Sequence, residues 1–345
     1  MKVALDVSSM HQLSETRGIG VYANNLYKSI KEYTDIDIDL VKEKTDYGQY
    51  DLIHFPFFDL FKRTLPLKIS KPFVVTIPDL IPLQFPKHYP SGLKGKANLF
   101  FQKLAIKNAK AVISISNTVK NDITKILKIN PLKIHTTHLA PASNYQKITD
   151  QKQLNRVKNK YNLPGQFVLY VGNVNWNKNI LNTAESCIIA GKPLLIIGSS
   201  FLDKTNLNHI EKKSHKLFLE KYGNNNLITI LGYVPDDEME VLMSLATTLI
   251  FISYYEGFGL PILEAQSCEL PVITSNGSAT EEITGQSAML VDPENPQEVA
   301  DSINELFSSS ELRKQLISKG KENAAKFSWK NTALETVKVY DQALN

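Results

Sequence analysis

The residues best suited to chemistry stand in one stretch, Ser253 to Glu269, where glutamates flank a glycine-rich sequence. Gly257 and Gly259 carry no Cβ, so a ligand can approach the main chain between them closely. The apolar run before the stretch predicts a buried strand, and Pro261 predicts the first turn of a helix that continues to about residue 269. The stretch therefore reads as a loop that opens a helix.

The start of that helix offers free N–H groups and the positive end of a helix dipole, both of which favour an anion. Glu256 and Glu264 add two carboxylates, which accept hydrogen bonds readily from paired hydroxyls. An anion, a closely packed polar body and two sets of hydroxyls together describe a nucleotide sugar. The alternative is a turn before a helix, with two solvated surface glutamates.

The whole string Glu-Gly-Phe-Gly-Leu-Pro-Ile-Leu-Glu, residues 256–264, resembles the signature of the retaining family 4 glycosyltransferases, which have the GT-B fold. The resemblance implies that Glu256 lies by the transferred sugar as a catalytic residue and that Glu264 binds the ribose of the donor. The residues that it implies for contacts with sugar hydroxyls or phosphate are Gly257, Phe258, Gly259 and Leu260.

A lysine follows another strand-like run, Phe167 to Gly172, in an asparagine-rich loop. Members of the family usually supply an arginine and a lysine here to balance the leaving diphosphate, but Asn173 and Asn177 occupy the arginine positions of this chain. The resemblance therefore leaves Lys178 as the catalytic and donor-binding cation, supported by helix amides. The alternative is a solvated lysine.

Near the N-terminus, a short apolar strand is followed by Gly18 and Gly20 at the start of a predicted helix. A dehydrogenase fingerprint would need a third glycine where Ala23 stands, and a lone Gly-x-Gly is more often a tight turn. The resemblance favours Gly18 and Gly20 as donor-binding residues on the N-terminal side of a cleft that holds donor and acceptor.

The sequence Thr-Ile-Pro-Asp-Leu-Ile-Pro, residues 76–82, departs from the family, which commonly has histidine at the position of Pro78. Proline offers no side-chain donor or acceptor, so either this acceptor does not need the histidine or activity is reduced. Asp79 remains as a catalytic residue that orients the acceptor or acts as a base. A helix cap is the alternative for Asp79.

Strand-like runs alternate with helical segments along the chain, which predicts the α/β class with parallel sheets. The resemblance implies a GT-B architecture, with two Rossmann-like domains facing across a cleft. We place the N-terminal, acceptor-side domain at residues 1–163 and the C-terminal, nucleotide-sugar domain at residues 164–326. The helix over 327–345 is expected to pack back on the N-terminal domain.

Charge is distributed unevenly: residues 1–165 hold 25 Lys and Arg against 13 Asp and Glu, whereas residues 166–345 hold 14 against 22. Without a nucleic-acid motif, the basic half indicates an anionic membrane surface or an acidic acceptor as partner. The lysine-rich segment 91–110 reads as an amphipathic helix that lies on a bilayer or packs on its own sheet with a solvated lysine face. An unused basic surface is the further alternative.

Two cysteines give no disulfide framework, and the histidines show no metal-ligand spacing. We therefore expect a cytoplasmic protein, in peripheral contact with a membrane at most, that requires no metal and no cofactor other than its donor substrate. The motifs most resemble mannosyltransferases of bacterial surface polysaccharide assembly. That implies transfer of mannose from GDP-mannose to a glycan or lipid-linked oligosaccharide. The alternatives are a UDP-hexose donor and a non-catalytic nucleotide-sugar-binding subunit.

Overall fold

The computed structural model describes residues 1–10, 18–43, 46–142 and 144–345. These residues form two compact units. Unit 1 comprises Met1–Ala140 and Phe327–Asn345, and unit 2 comprises Pro141–Lys326. Each unit contains a six-stranded parallel sheet with helices in its connections, which confirms the predicted α/β class.

The first part of the chain supplies, in order, β1 (Lys2–Asp6), α1 (Ile19–Tyr33), β2 (Asp37–Val41), β3 (Leu52–Phe55), β4 (Phe73–Ile77), α2 (Ile81–Gln84), α3 (Gly92–Ile106), β5 (Ala111–Ser114), α4 (Asn117–Asp122) and β6 (Ile134–Thr136). The remainder supplies α5 (Gln151–Lys160), β7 (Val168–Val171), α6 (Ile180–Ile189), β8 (Leu194–Ile197), α7 (Lys213–Tyr222), β9 (Ile228–Gly232), α8 (Asp236–Leu245), β10 (Thr248–Phe251), α9 (Leu260–Ser267), β11 (Val272–Ser275), α10 (Ser278–Thr284), β12 (Met289–Val291), α11 (Pro296–Ser308), α12 (Ser310–Ala324) and α13 (Trp329–Leu344). None of these helices is both long enough and apolar enough to cross a bilayer.

The sheet of unit 1 has the order β2-β1-β3-β4-β5-β6. Every residue of β3, β4 and β5 is buried, as expected for parallel strands that are covered on both faces. Helix α13 packs on α1, where the rings of Tyr22 and Trp329 lie 6.3 Å apart. The last helix therefore completes the core of unit 1.

The sheet of unit 2 has the order β12-β11-β10-β7-β8-β9 and separates two apolar cores. Val168 and Tyr170 of β7 face one core, and Leu169 between them faces the other. This alternation follows from the two-residue period of a strand. Long apolar runs are needed because both faces of the sheet are covered.

The segment 141–163 belongs with unit 2 in the structure, whereas the sequence placed the domain boundary near residue 163. Val157 and Leu163 are buried in a core of unit 2. Lys160 Nζ lies 2.7 Å from Glu238 Oε2, and Tyr161 donates a hydrogen bond of 2.5 Å to the same oxygen. The apolar and charged partners of this segment thus lie on α8 and its surroundings, although its polar composition suggested a linker.

Candidate active site

The candidate site of unit 2 lies where the order of the sheet reverses. Strands β7 and β10 are neighbours, although the chain forms β8 and β9 between them. In open α/β sheets, ligands bind beyond the carboxyl ends of the strands at such a switch point. The loops that leave these two strands cover residues 172–179 and 252–259, so two stretches singled out in the sequence meet here.

The two loops are joined by an ion pair between Lys178 and Glu256. Lys178 Nζ lies 2.7 Å from Glu256 Oε1, and the same ammonium lies 5.1 Å from the centroid of the Phe251 ring. Glu256 is buried, with 7% of its surface exposed, and Lys178 is partly buried. Because burial weakens solvent screening, the two charges attract each other more strongly than an exposed pair would. The structure therefore brings together two predicted catalytic residues.

Asparagine side chains hold the two loops against each other. Asn177 Nδ2 donates to the Tyr255 carbonyl at 3.1 Å, and Asn179 Nδ2 donates to the Ile252 carbonyl at 3.1 Å. Both asparagines are buried. The sequence analysis treated Asn177 only as the residue at an arginine position of the family, and its role in holding the main chain of Tyr255, next to Glu256, was missed.

An aromatic pair also connects the two loops. The rings of Trp176 and Tyr254 are stacked, with centroids 5.0 Å apart and planes inclined by 24°. Trp176 is two residues before Lys178, and Tyr254 is two residues before Glu256, so the stack borders the ion pair along both loops. No sequence pattern predicted this contact, because the two rings are far apart along the chain.

The glycine-rich stretch leads directly into α9, as predicted. Gly257, Phe258 and Gly259 are buried, Leu260 is partly exposed, and α9 begins at Leu260 with Pro261 in its first turn. Gly259 has φ of +120°, and a Cβ added there would lie 3.1 Å from Ile262 Cδ1. Its backbone conformation therefore requires glycine, and Ile262 leaves little room for a side chain there.

Glu264 lies in the second turn of α9 and is partly exposed. Burial of its carboxyl group and, to a lesser extent, the charge of Asp236 raise its pKa to about 7. Among the described residues, none donates a hydrogen bond to this carboxylate. Such a group gains from neighbouring hydroxyl donors, since these stabilise its charged form.

In unit 1, the predicted glycines lie at the start of α1. Gly18 has φ of +57° and precedes the first residue of the helix, and Gly20 is buried in its first turn. The neighbouring Arg17 lies outside the described residues. A Cβ at Gly18 would meet no atom within 4 Å, so the positive φ rather than lack of space requires glycine there.

Asp79 follows β4 and precedes α2. Its Oδ1 accepts a hydrogen bond of 3.0 Å from the amide of Ile81, the first residue of α2. The N-cap residue of α2 is Leu80, so this contact forms a turn just before the helix and is not a helix cap. The role of Asp79 toward an acceptor stays a prediction.

Two buried polar arrangements of unit 1 were missed. Asp6, at the end of β1, is buried and accepts hydrogen bonds from the Ser8 amide, at 2.7 Å, and from the Tyr47 hydroxyl. The only sequence signal was an acid at the end of an apolar strand, and nothing marked its partners. Asp6 is therefore a further polar group at the carboxyl end of a central strand.

The second arrangement links His54, Thr76, Tyr22 and Tyr340. His54 shares hydrogen bonds of 2.8 Å with Thr76 Oγ1 and 2.7 Å with Tyr340 Oη, and Tyr22 Oη lies 3.0 Å from Thr76 Oγ1. Burial lowers the pKa of His54 to about 3, so its ring is neutral at physiological pH. The network ties α13 and α1 to the sheet of unit 1.

The profile of a protein family described as glycosyl transferases group 1 matches residues 151–323. This range covers half of the chain and contains Lys178, Glu256 and Glu264. The chain belongs to the glycosyl transferases group 1 family. It is therefore a glycosyltransferase, as the signature over residues 256–264 predicted.

Curated relatives of this glycosyltransferase include O-antigen chain mannosyltransferase B of Escherichia coli. The two are 28% identical over 304 residues, which is 86% of this chain and 75% of the relative. The serotype-specific mannosyltransferase WbdA of E. coli is 26% identical over 261 residues. That match covers 74% of this chain but only 31% of WbdA, so the chain spans about a third of that protein.

A solved structure, Anabaena HepE in complex with UDP and glucose, superposes on this glycosyltransferase with a TM-score of 0.73. The match covers 99% of both chains at 17% sequence identity. At this identity the likeness concerns the fold alone, and it confirms the predicted GT-B fold class. The roles of individual site residues stay predictions.

Proposed function

We propose that this glycosyltransferase moves mannose from GDP-mannose, with retention of configuration, to a glycan or lipid-linked oligosaccharide in the assembly of a bacterial surface polysaccharide. The proposal is supported by the names of the two E. coli relatives, both mannosyltransferases. A lipid-linked acceptor would bring the enzyme to a membrane surface, which agrees with the basic charge of the N-terminal half.

The observation that carries the proposed chemistry is the ion pair of Lys178 and Glu256 at the switch point of unit 2. A lysine there can stabilise the negative charge that develops on a departing diphosphate, together with the amides at the start of α9. Glu256, within reach of the same lysine, is placed to accept hydrogen bonds from hydroxyls of the transferred sugar. Glu264, in the second turn of α9, would accept hydrogen bonds from the hydroxyls of the ribose.

In the proposed reaction, the bond between the anomeric carbon and the diphosphate oxygen breaks, and the diphosphate keeps the electron pair. The acceptor hydroxyl oxygen bonds to the anomeric carbon on the same face of the sugar, and its proton passes to the departing diphosphate. The residues of the protein bind, orient and stabilise charge, with Gly18 and Gly20 near the donor and Asp79 orienting the acceptor. No metal is required in this scheme.

A second candidate donor is a UDP-hexose, because the structurally similar HepE was solved with UDP and glucose. The reaction and the site residues would be the same. The two candidates differ in the base and the sugar that unit 2 recognises. No side-chain motif identifies the base or the sugar.

The test is a donor panel of GDP-mannose, UDP-glucose, UDP-galactose and UDP-N-acetylglucosamine, followed by thermal shift and by nucleotide release with and without a chelator. We expect a shift and slow release with GDP-mannose, unaffected by the chelator and lost in Glu264→Ala. Glu311→Ala, on an exposed position of α12, is the matched control and should behave as wild type. Nucleotide release with a UDP-sugar alone would show that the UDP-sugar, and not GDP-mannose, is the donor. If no donor changed the melting temperature, the nucleotide-sugar assignment would be wrong.

A further inference from the structure

The outer face of α3 in unit 1 presents apolar side chains to solvent. Leu93, Phe100 and Leu104 are 87%, 60% and 42% exposed, and Ala97 is exposed between them. Spacings of four, three and four residues place these side chains on one face of a helix with 3.6 residues per turn. We refer to Leu93, Ala97, Phe100 and Leu104 as the apolar stripe.

The opposite face of α3 holds the helix on its own unit. Gln102 is fully buried, and its Oε1 accepts a hydrogen bond of 3.0 Å from the Leu65 amide. Its Nε2 donates to Thr64 Oγ1 at 2.7 Å, and Asn98 Nδ2 donates to the Phe61 carbonyl at 2.9 Å. The other buried residues of the helix are Gly95, Ala105 and Ile106. The apolar stripe therefore lies outside the contacts that fix the helix.

The surroundings of the apolar stripe are basic. Lys96, Lys103 and Lys107 flank it along one side of the helix, and Lys94 lies on the other. Residues 60–121 as a whole hold eleven Lys and Arg and a single acid, Asp79. A partner for this face must therefore combine negative charge with an apolar interior.

A cavity of about 780 Å³ at the C-terminal end of α3 repeats this combination. Its wall is formed by the segment 66–73 together with Ala105, Asn108 and Lys110. Lys68, Lys71 and Lys110 provide positive charge, while Leu67 and Phe73 provide apolar surface. The same chemistry thus extends from the helix to the neighbouring segment.

We propose that this face of unit 1 docks on a lipid bilayer rich in anionic headgroups, with α3 in the membrane plane and the apolar stripe at the acyl boundary. A helix that exposes apolar side chains beside lysines can bind such a surface, because the apolar side chains are buried while the lysines contact anionic headgroups. A soluble anionic polymer would engage the lysines but leave the stripe in water. A second copy of the same face would bring like charges together.

Vesicle flotation of the full chain tests the proposal, with phosphatidylcholine vesicles that contain or lack phosphatidylglycerol. We expect binding to the anionic vesicles alone, decreasing as salt is raised. Phe100→Ser with Leu104→Ser should weaken binding about ten-fold, and so should the triple variant Lys94→Gln, Lys96→Gln, Lys107→Gln. The control is Lys152→Gln, Lys314→Gln, Lys319→Gln, which removes the same charge from exposed sites of unit 2 and should bind as wild type.

Three outcomes would overturn the proposal: no binding to either vesicle, equal binding to both, or stripe variants that bind as wild type. So would a lipid-free oligomer that the stripe variant converts to a monomer, because the face would then join copies of the chain. Circular dichroism of each variant confirms that it is folded. The assay contains neither donor nor acceptor, so its result is independent of the proposed donor specificity.

Discussion

The ammonium nitrogen of Lys178 lies 2.7 Å from the carboxylate oxygen Oε1 of Glu256, although the two residues follow different strands of unit 2. Their contact exists because β7 and β10 are neighbours in the sheet and end at the same edge. A diphosphate that binds Lys178 would share or replace Glu256 as its counter-ion. Charge at this site is therefore expected to be redistributed each time a donor binds.

Replacing Lys178 by alanine should lower turnover at saturating donor about a hundred-fold or more, because the leaving diphosphate loses a positioned cation. The measurement is kcat from nucleotide release. Lys204→Ala, which removes an exposed lysine of unit 2, is the control and should leave kcat unchanged. Wild-type turnover in Lys178→Ala would show that the leaving group is stabilised elsewhere.

Glu256→Gln should separate binding from turnover. The amide does not hold Lys178 by charge, so we expect GDP to bind at least as tightly as to wild type, measured by calorimetry. Turnover should nevertheless fall, since the carboxylate beside the transferred sugar is lost. A joint loss of GDP affinity and turnover would contradict this assignment and indicate that Glu256 supports the nucleotide itself.

Affinity for GDP-mannose should rise with pH around neutrality. The pKa of Glu264 is about 7 in the protein, and ribose hydroxyls would donate hydrogen bonds to its ionised form. Below pH 7 the protonated form dominates, so the affinity should fall by up to about ten-fold per pH unit. Glu264→Gln should abolish this dependence, and Asp236→Asn should move it to lower pH. An unchanged pH profile in Glu264→Gln would reject the assignment.

Gly259→Ala should lower the stability of the protein by about 1–3 kcal/mol, because φ is +120° and the new methyl group would lie against Ile262. The midpoint of urea denaturation measures this change. Gly165→Ala is a suitable control, since a Cβ there would meet no atom within 4 Å and the backbone has no positive φ. Equal midpoints for the two variants would count against a strained backbone at Gly259.

The free energy of unfolding should decrease as pH falls from about 6.5 towards 3. His54 has a pKa of about 3 in the folded protein against an ordinary 6.5, so the unfolded chain binds more protons in this interval. The contribution is up to about 1.4 kcal/mol per pH unit. His54→Asn should reduce the slope of stability against pH, whereas the exposed His209→Asn should not. Equal slopes in the two variants would exclude His54 as a source.

The sequence predicted the parts of the site that a local pattern specifies. Glu256, Gly259 and Glu264 stand in one continuous string, and the loop and helix that hold them follow from glycine and proline in that string. The α/β class followed from alternating strand and helix patterns. These features depend on residues that are close together in the chain, so a single sequence carries them.

The contacts that were missed join residues far apart in the chain. Tyr340 meets His54 across 286 positions, and Asn177 meets the Tyr255 carbonyl across 78. Amide and hydroxyl side chains have many possible partners, and no spacing rule selects one of them. The same reason explains why the domain boundary was predicted near residue 163 and not after Ala140: the partners of Lys160 and Tyr161 lie on α8, far along the chain.

Unit 1 is built from two separate pieces of chain, and this has a consequence for synthesis on the ribosome. Residues from Phe327 onward are made only after the whole of Pro141–Lys326, so unit 2 is complete while α1 and the sheet of unit 1 still lack α13. During that interval His54 has no Tyr340 to bond, and the surface that α13 covers is open to water. Unit 1 is therefore expected to finish folding after unit 2, although most of it is synthesised first, whereas domains usually fold in order from the N-terminus. We expect the nascent chain to depend on chaperones most strongly in unit 1.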